Sequence, residues 1–446
     1  MKVCINSQTP LLRFKLSYEE LIEKYGFLDD PVDISSLEQN VDYTSSPGGV
    51  TAMIYPLMNY MIDSNYVSSV VWVSLGVNYP PKVRMGKLLL SHVELEEKHL
   101  RKYTVFKESL WSAIHGVEKP SIDGYTYYAY YNWVNAERLL EHLGEIDVYY
   151  IQDFQLLLTG QMIGPSAPAV LRWHVPFKPE NLTPLFLKFV LKAMEGFDSI
   201  VVSTRRDLEG LIKTAYHGRA YQIYPFIDPR VWQKPSRNEL DNIKEIIGLQ
   251  NDEQLILMVA RMDRIKSQDT AIKAIARLKD NKLKLALVGN GSFSSSSKGG
   301  LAYGKGSSWR VQLQELANKL GVSDKVLFLG YLTHDQLRSI YNLASSVILT
   351  SRIEGFGITV LEGWMNKKPV VVSDGAGVSE LVVEGSNGYV FTADDDQQLA
   401  EKIERTLSPA SDKLGENGFE TAKQCTIDIA AQREKTVLEE TMAQYR

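Results

Sequence analysis

Apolar residues recur along this chain in two rhythms, short continuous runs and helical spacing, and the two alternate. Val3–Ile5, Val67–Leu75, Val148–Gln152, Ala169–Trp173 and Ser199–Val202 read as strands. Their runs are β-branched and apolar without a polar face, as expected of strands buried on both sides. Thr51–Met61 and Val134–Leu143 carry apolar residues at helical spacing. Between them, Arg101–Tyr131 is rich in Tyr and Trp and is left without an element. A second alternation places strands at Leu255–Val259, Leu283–Val288, Val326–Leu329, Ser346–Leu349 and Pro369–Val372. Such strand–helix alternation predicts parallel sheets covered by helices on both faces. Pro225-Phe226-Ile227-Asp228-Pro229 interrupts it, and two prolines so close suppress helix.

These breaks divide the chain into an acceptor-side domain at 1–226, a second domain at 227–426 and a charged amphipathic helix at 427–446. The expected class is α/β, with two doubly wound Rossmann-like domains facing across a cleft. Ligands in such sheets bind beyond the carboxyl ends of the strands. Ser292–Ser308 is Ser/Gly-rich and reads as a mobile loop. A length of 446 residues fits two large domains.

Composition adds exclusions. A net charge of −5 argues against a dedicated nucleic-acid binder. The two cysteines, Cys4 and Cys425, cannot build a disulfide framework or a zinc site, and both are expected to be reduced. The start of the chain lacks the apolar core of a signal peptide, and no run reaches the roughly 18 apolar residues of a membrane helix. A cytoplasmic protein without membrane insertion is the expectation, with homo-oligomerisation left open.

Two segments of the second domain carry candidate chemistry. Arg261 and Lys266 leave the end of the first strand together. A guanidinium and an ammonium there can hold a diphosphate, one as a fork and the other as a point charge. A solvated charged loop reads the same way in isolation. Glu354-Gly355-Phe356-Gly357 then turns from a strand into a helix starting near Gly357, with Glu362 one and a half turns inside it. Free N–H groups at a helix start favour anions. The flanking carboxylates suit sugar hydroxyls, so the segment fits a nucleotide sugar.

Glu354 and Glu362, separated by seven residues, resemble the paired-glutamate signature of retaining GT-B glycosyltransferases of family four. The Arg261–Lys266 spacing and Pro369-Val370-Val371 match it as well. The resemblance implies that Glu354 contacts the donor hexose and Glu362 the ribose. It also implies a last helix crossing back onto the first domain and no metal or other cofactor beyond the nucleotide-sugar co-substrate.

Four segments of the first domain resemble the trehalose-6-phosphate synthase family. They are Pro47-Gly48-Gly49 near the donor phosphates, Trp111 to His115, Ile151-Gln152-Asp153-Phe154-Gln155, and Arg172-Trp173-His174-Val175-Pro176-Phe177. Both histidines that flank the family's aspartate are glutamines here, and the Glu-Gly-Phe-Gly turn is that of the broader family. The resemblance implies Trp111, His115, Asp153 and His174 at the substrates, with Asp153, His174, Arg261, Lys266 and Glu354 in the catalytic set. Gly48, Gly49, Arg261, Lys266, Glu354, Gly355, Phe356, Gly357 and Glu362 fall to the donor.

The implied activity is transfer of glucose from a nucleotide-glucose, UDP-glucose favoured, to glucose 6-phosphate. Alternatives are a trehalose synthase using free glucose, a hexosyltransferase acting on a polyol or polyol phosphate, a GT-B epimerase and a non-catalytic nucleotide-sugar sensor. Arg13 and Lys15 are candidates for an acceptor phosphate by position alone.

Overall fold

The computed structural model describes residues 1–46, 49–214, 216–289, 302–408 and 411–445. Gly48 and most of the Ser/Gly-rich insert lie outside them. The chain divides into two compact units, Met1–Tyr224 with Ala430–Arg446, and Pro225–Ile429.

Unit 1 is built on β1 (Lys2–Ser7), β2 (Leu12–Phe14), β3 (Val32–Asp33), β4 (Tyr43–Ser45), β5 (Ser69–Leu75), β6 (Lys82–Met85), β7 (Leu88–Val93), β8 (Val148–Gln152), β9 (Ala169–Arg172), β10 (Ser199–Val202) and β11 (Arg219–Gln222). Nine of these form one sheet in the order β11-β10-β9-β8-β1-β5-β7-β6-β3. Its middle is parallel, and the two strands at one edge, β6 and β3, run opposite to it, β6 antiparallel to β7 and β3 parallel to β6. The chain leaves β1 toward β5 on one side and takes up β8 on the other. The sheet therefore reverses its winding between β1 and β8, which opens the strand ends there to a ligand.

Two helices not read from the sequence, Glu97–Ile114 and the early part of Tyr125–Leu140, pack beside this sheet. The second begins at Tyr125 rather than Val134. Tyr103, Phe106 and Leu110 supply the buried stripe of the first, at spacings of three and four. Tyr103 and Tyr131 meet with ring centroids 4.3 Å apart. Helix Ile427–Ala443 ends the chain, and its residues from Ala430 belong to unit 1.

Unit 2 contains β12 (Gln254–Val259), β13 (Leu283–Val288), β14 (Val326–Gly330), β15 (Ser346–Leu349), β16 (Val370–Ser373) and β17 (Tyr389–Phe391). All pair in parallel, in the order β14-β13-β12-β15-β16-β17. Counted within the unit this is 3-2-1-4-5-6, the doubly wound dinucleotide-fold order, whose switch point falls between β12 and β15. The inner strands β12, β13, β15 and β16 are mostly buried, which explains their Val-, Ile- and Leu-rich runs. The loop expected over Ser292–Ser308 is corrected in its last part. Helix Ala302–Lys319 already includes Ala302–Ser308. Cys4 and Cys425 are both buried and free, and no helix among the described residues is long and apolar enough to cross a membrane.

Candidate functional site

In unit 2 the two strands flanking the switch point deliver the charged groups. After β12 the chain makes a tight turn, Arg264–Lys266, capped by the Asp263 carboxylate, which accepts from the Ile265 amide at 3.1 Å. Ser267 then takes a positive φ of 51° and starts helix Gln268–Arg277. At the end of β15, the buried Thr350 hydroxyl donates to the carbonyls of Lys266 and Ser267 at 2.7 and 3.0 Å. The Arg352 amide donates to Ile265 at 2.9 Å. These cross-loop bonds bring Lys266 against Glu354, and the two form an ion pair. Their side chains are 13% and 23% exposed, so the pair is largely withdrawn from water but still reachable.

Glu354 is held from three directions. Its Oε2 also accepts from Ser351 Oγ at 3.2 Å. Its amide donates to Gly375 and its carbonyl accepts from Gly377, each at 3.1 Å, so the segment after β16 fixes its backbone. Burial works to raise its carboxyl pKa. The Lys266 ammonium, with Arg261 and Ser351, outweighs burial and holds it below the usual carboxylate range. Arg261 lies 3.7 Å from Asp263, and its carbonyl accepts from Gln268 Nε2 at 2.6 Å. Arg261, Lys266 and Glu354 thus form one electrostatic cluster.

The adjoining turn is made possible by Gly357, whose φ is 104°. A Cβ there would collide with the Leu349 side chain as well as strain the backbone. Gly355 and Phe356 are buried, and the Phe356 carbonyl accepts from Val378 at 2.8 Å. Helix Ile358–Met365 follows, with Gly357 at its N-cap and no side-chain cap bond. A helix start without a side-chain cap, beside two cations, makes an anion-binding arrangement.

Glu362 stands apart from this cluster in its chemistry. Tyr341 Oη donates to its Oε2 at 2.5 Å. Burial pushes its carboxyl up to about 7, against the lowering effect of that hydrogen bond. Tyr341 itself is set by Trp232, edge-on at 5.3 Å. Tyr341 comes from a separate helix, His334–Leu343, so no local pattern links it to Glu362.

In unit 1, neighbouring strand ends bring Gln152, Asp153 and His174 together. Asp153 has a positive φ of 70°, uncommon for a residue with a Cβ. Its carboxyl, on a residue only 4% exposed, accepts from the His174 amide at 3.2 Å and from the amides of Phe154 and Val175. A carboxylate has about four lone-pair sites, so most of this one is engaged by backbone amides of its own turn and of the segment after β9. These bonds make Asp153 shape the strand end, a role the sequence did not suggest. Burial raises its pKa to about 6, opposed by those amides.

The His174 ring meets Gln152 Oε1 at 2.9 Å. Burial, helped by the nearby Arg172 cation, holds its imidazole well below the ordinary histidine range. Arg172 is itself buried, donating to the carbonyls of Val202 and Ile223 at 3.1 and 2.8 Å and pairing with Glu434 of the last helix at 3.4 Å.

Trp111 and His115 form a second cluster at the end of their helix, stacked at 4.2 Å. His115 Nδ1 lies 2.8 Å from the Trp111 carbonyl. Gly49 opens helix Gly49–Asp63, and a Cβ there would meet nothing within the described protein, so packing does not require glycine. Gly48 falls outside the described residues. Lys15 donates to the Asn40 carbonyl at 2.5 Å.

Residues 240–421 match the family described as Glycosyl transferases group 1, so unit 2 carries a glycosyltransferase group 1 domain. The chain is 32% identical over 190 residues to an uncharacterized glycosyltransferase of Methanocaldococcus jannaschii, covering 42% of this chain and 44% of the relative. It is 27% identical over 235 residues to a D-inositol 3-phosphate glycosyltransferase of Mycolicibacterium smegmatis, covering 52% and 50%. The matched part thus spans about half the length of these curated relatives. Among solved structures, the chain is similar to a UDP-forming α,α-trehalose-phosphate synthase from Burkholderia xenovorans in complex with glucose 6-phosphate. The TM-score is 0.75 at 15% identity, over 98% of this chain and 99% of that one. At that identity the likeness establishes the fold, which is GT-B.

Proposed function

We propose that this protein is a retaining hexosyltransferase that moves glucose from a nucleotide-glucose, UDP-glucose favoured, to glucose 6-phosphate, forming trehalose 6-phosphate. The observation that carries the reading is the Arg261–Lys266–Glu354 cluster at the switch point of a doubly wound sheet, beside the open start of helix Ile358–Met365. Arg261 and Lys266 would hold the diphosphate and the helix amides would share its charge. Lys266 would then divide its ammonium between phosphate and Glu354, which keeps Glu354 ionised to accept from hexose hydroxyls. Glu362 would accept from the ribose. In unit 1, His174 would accept from a sugar hydroxyl, Trp111 would offer an aromatic face, and the Gly48–Gly49 turn would approach phosphate.

In the step itself the bond from the sugar carbon to the diphosphate oxygen breaks as the acceptor oxygen bonds to the same face of that carbon. The departing phosphate oxygen takes the acceptor proton. Arg261 and Lys266 stabilise the negative charge that builds on the leaving group, and no metal bridge is invoked.

Incubation with UDP-, ADP- and GDP-glucose plus glucose 6-phosphate tests the reading by nucleoside diphosphate release and product mass. Release with a sugar-phosphate product supports it, and no release with any donor overturns it. A second reading, a polyol phosphate acceptor, is favoured by the similarity to an inositol 3-phosphate glycosyltransferase. Replacing glucose 6-phosphate by inositol 3-phosphate, or by free glucose, in the same assay separates these acceptors.

A further inference from the structure

We propose that Gln152 is a positioning residue that fixes His174 as the Nε2–H tautomer, so that the ring presents Nδ1 as a bare acceptor to a ligand hydroxyl. The identity of that ligand as a sugar rests on the function proposed above. The tautomer itself does not.

The geometry decides the proton's place. Gln152 is buried, and its Nε2 donates to the Tyr150 carbonyl at 3.1 Å while its Oε1 faces His174 Nε2 at 2.9 Å. A backbone carbonyl can only accept, so the amide NH₂ must point toward Tyr150. Turning the amide over would set Oε1 against the Tyr150 oxygen and abandon a buried hydrogen bond. Oε1 therefore faces the ring as an acceptor, and Nε2 must carry the hydrogen.

Neighbouring groups remove the alternatives. The adjacent Asp153 holds the His174 amide at 3.2 Å, so two consecutive residues of β8 and its end fix the backbone and the ring of the same histidine. Arg172, on the strand that leads into His174, pairs with Glu434 and bonds two carbonyls, and its cation disfavours a second charge on the ring. A carboxylate at position 152 would stabilise an imidazolium, as the aspartate of a catalytic triad does. The neutral amide orients the ring without that charge. His174 is thus an acceptor for a hydroxyl and a poor base, which agrees with the departing phosphate, rather than this histidine, taking the acceptor proton.

The test is ¹⁵N–¹H correlation of the histidine rings in the full-length, ligand-free protein, with His174 assigned by its disappearance in His174→Gln. The expected wild-type signal is the Nε2–H tautomer, unchanged between pH 6 and 8. Gln152→Leu should mix the two tautomers, and Gln152→Glu should bring an imidazolium into that pH range. An Nδ1–H signal or an imidazolium at neutral pH in the wild type overturns the proposal, as does Gln152→Leu without change. If either variant fails to fold, the wild-type signal and the other variant decide. Addition of UDP-glucose should shift Nδ1 alone. A correct tautomer with no such shift leaves Gln152's role standing and removes the sugar as ligand.

Discussion

Lys266 and Glu354 lie 88 residues apart and share one ion pair. Removing one partner leaves the other charged and largely withdrawn from water. Lys266→Met should destabilise unit 2 by ~3 kcal/mol, at the low end for buried pairs because Glu354 keeps part of its exposure. Lys266→Met combined with Glu354→Gln should recover part of that loss, and urea unfolding of the cycle measures the coupling. Strictly additive effects would show that the pair contributes nothing. A different consequence attends Glu362, whose carboxyl is pushed up to about 7. A ribose hydroxyl donating to it favours the ionised form, so UDP binding at pH 6 should release protons. Calorimetry in buffers of different ionisation heat reads this, and Glu362→Gln should abolish the release. The Tyr341–Glu362 pairing is hard to see in sequence, because Tyr341 comes from a separate helix.

Elements buried on both faces were legible. β1, β5, β8, β9, β10, β12, β13, β15 and β16 announce themselves as mainly apolar runs, and β14 does so while only half-buried. β7 is equally buried but was missed because Ser91 and His92 interrupt it. Each has an internal partner, Ser91 the His142 ring at 3.3 Å and His92 Nδ1 the Pro80 carbonyl at 2.6 Å. The short edge strands β11 and β17 show too little burial to leave a pattern. Helices Glu97–Ile114 and Tyr125–Leu140 were obscured by tyrosines, which are modest helix formers and take their order here from aromatic packing. The turn before helix Ile358–Met365 was legible from its glycines, and its geometry makes a sharp prediction. Gly357→Ala should cost at least ~1–3 kcal/mol, from the positive φ and the contact with Leu349. Thermal unfolding with an unchanged midpoint would contradict this account of the turn.

At the scale of the molecule, raised carboxyls set a pH dependence, Asp153 and Glu362 together with the buried Glu434, which is shifted in the same direction. Asp153 titrates near 6 and Glu362 near 7 in the folded chain, both above their ordinary values. Between roughly pH 4 and 7 the folded state therefore holds more protons than the unfolded one, and these groups reduce stability as pH rises through that window. Glu354, held below its usual range, acts in the opposite sense at lower pH, where stability is lost as it protonates. Melting temperatures from pH 5 to 7.5 should decline less steeply in Glu362→Gln than in the wild type. An identical slope would remove Glu362 from that dependence.

The two-sheet α/β architecture was readable from rhythm alone, whereas the neighbourhoods of Asp153 and His174 needed coordinates. Their hydrogen bonds join segments distant in sequence. The central claim is transfer of glucose to glucose 6-phosphate by way of the Arg261–Lys266 grip. Its most direct measurement is the product formed from UDP-glucose and glucose 6-phosphate, identified by NMR alongside released UDP, in the wild type and in Arg261→Ala. The account predicts trehalose 6-phosphate and UDP in equal amounts, with the rate lowered ~10²-fold or more in a folded Arg261→Ala variant. Trehalose 6-phosphate formed at near-normal rate by that variant, or no sugar-phosphate product from the wild type with any nucleotide-glucose, would contradict it.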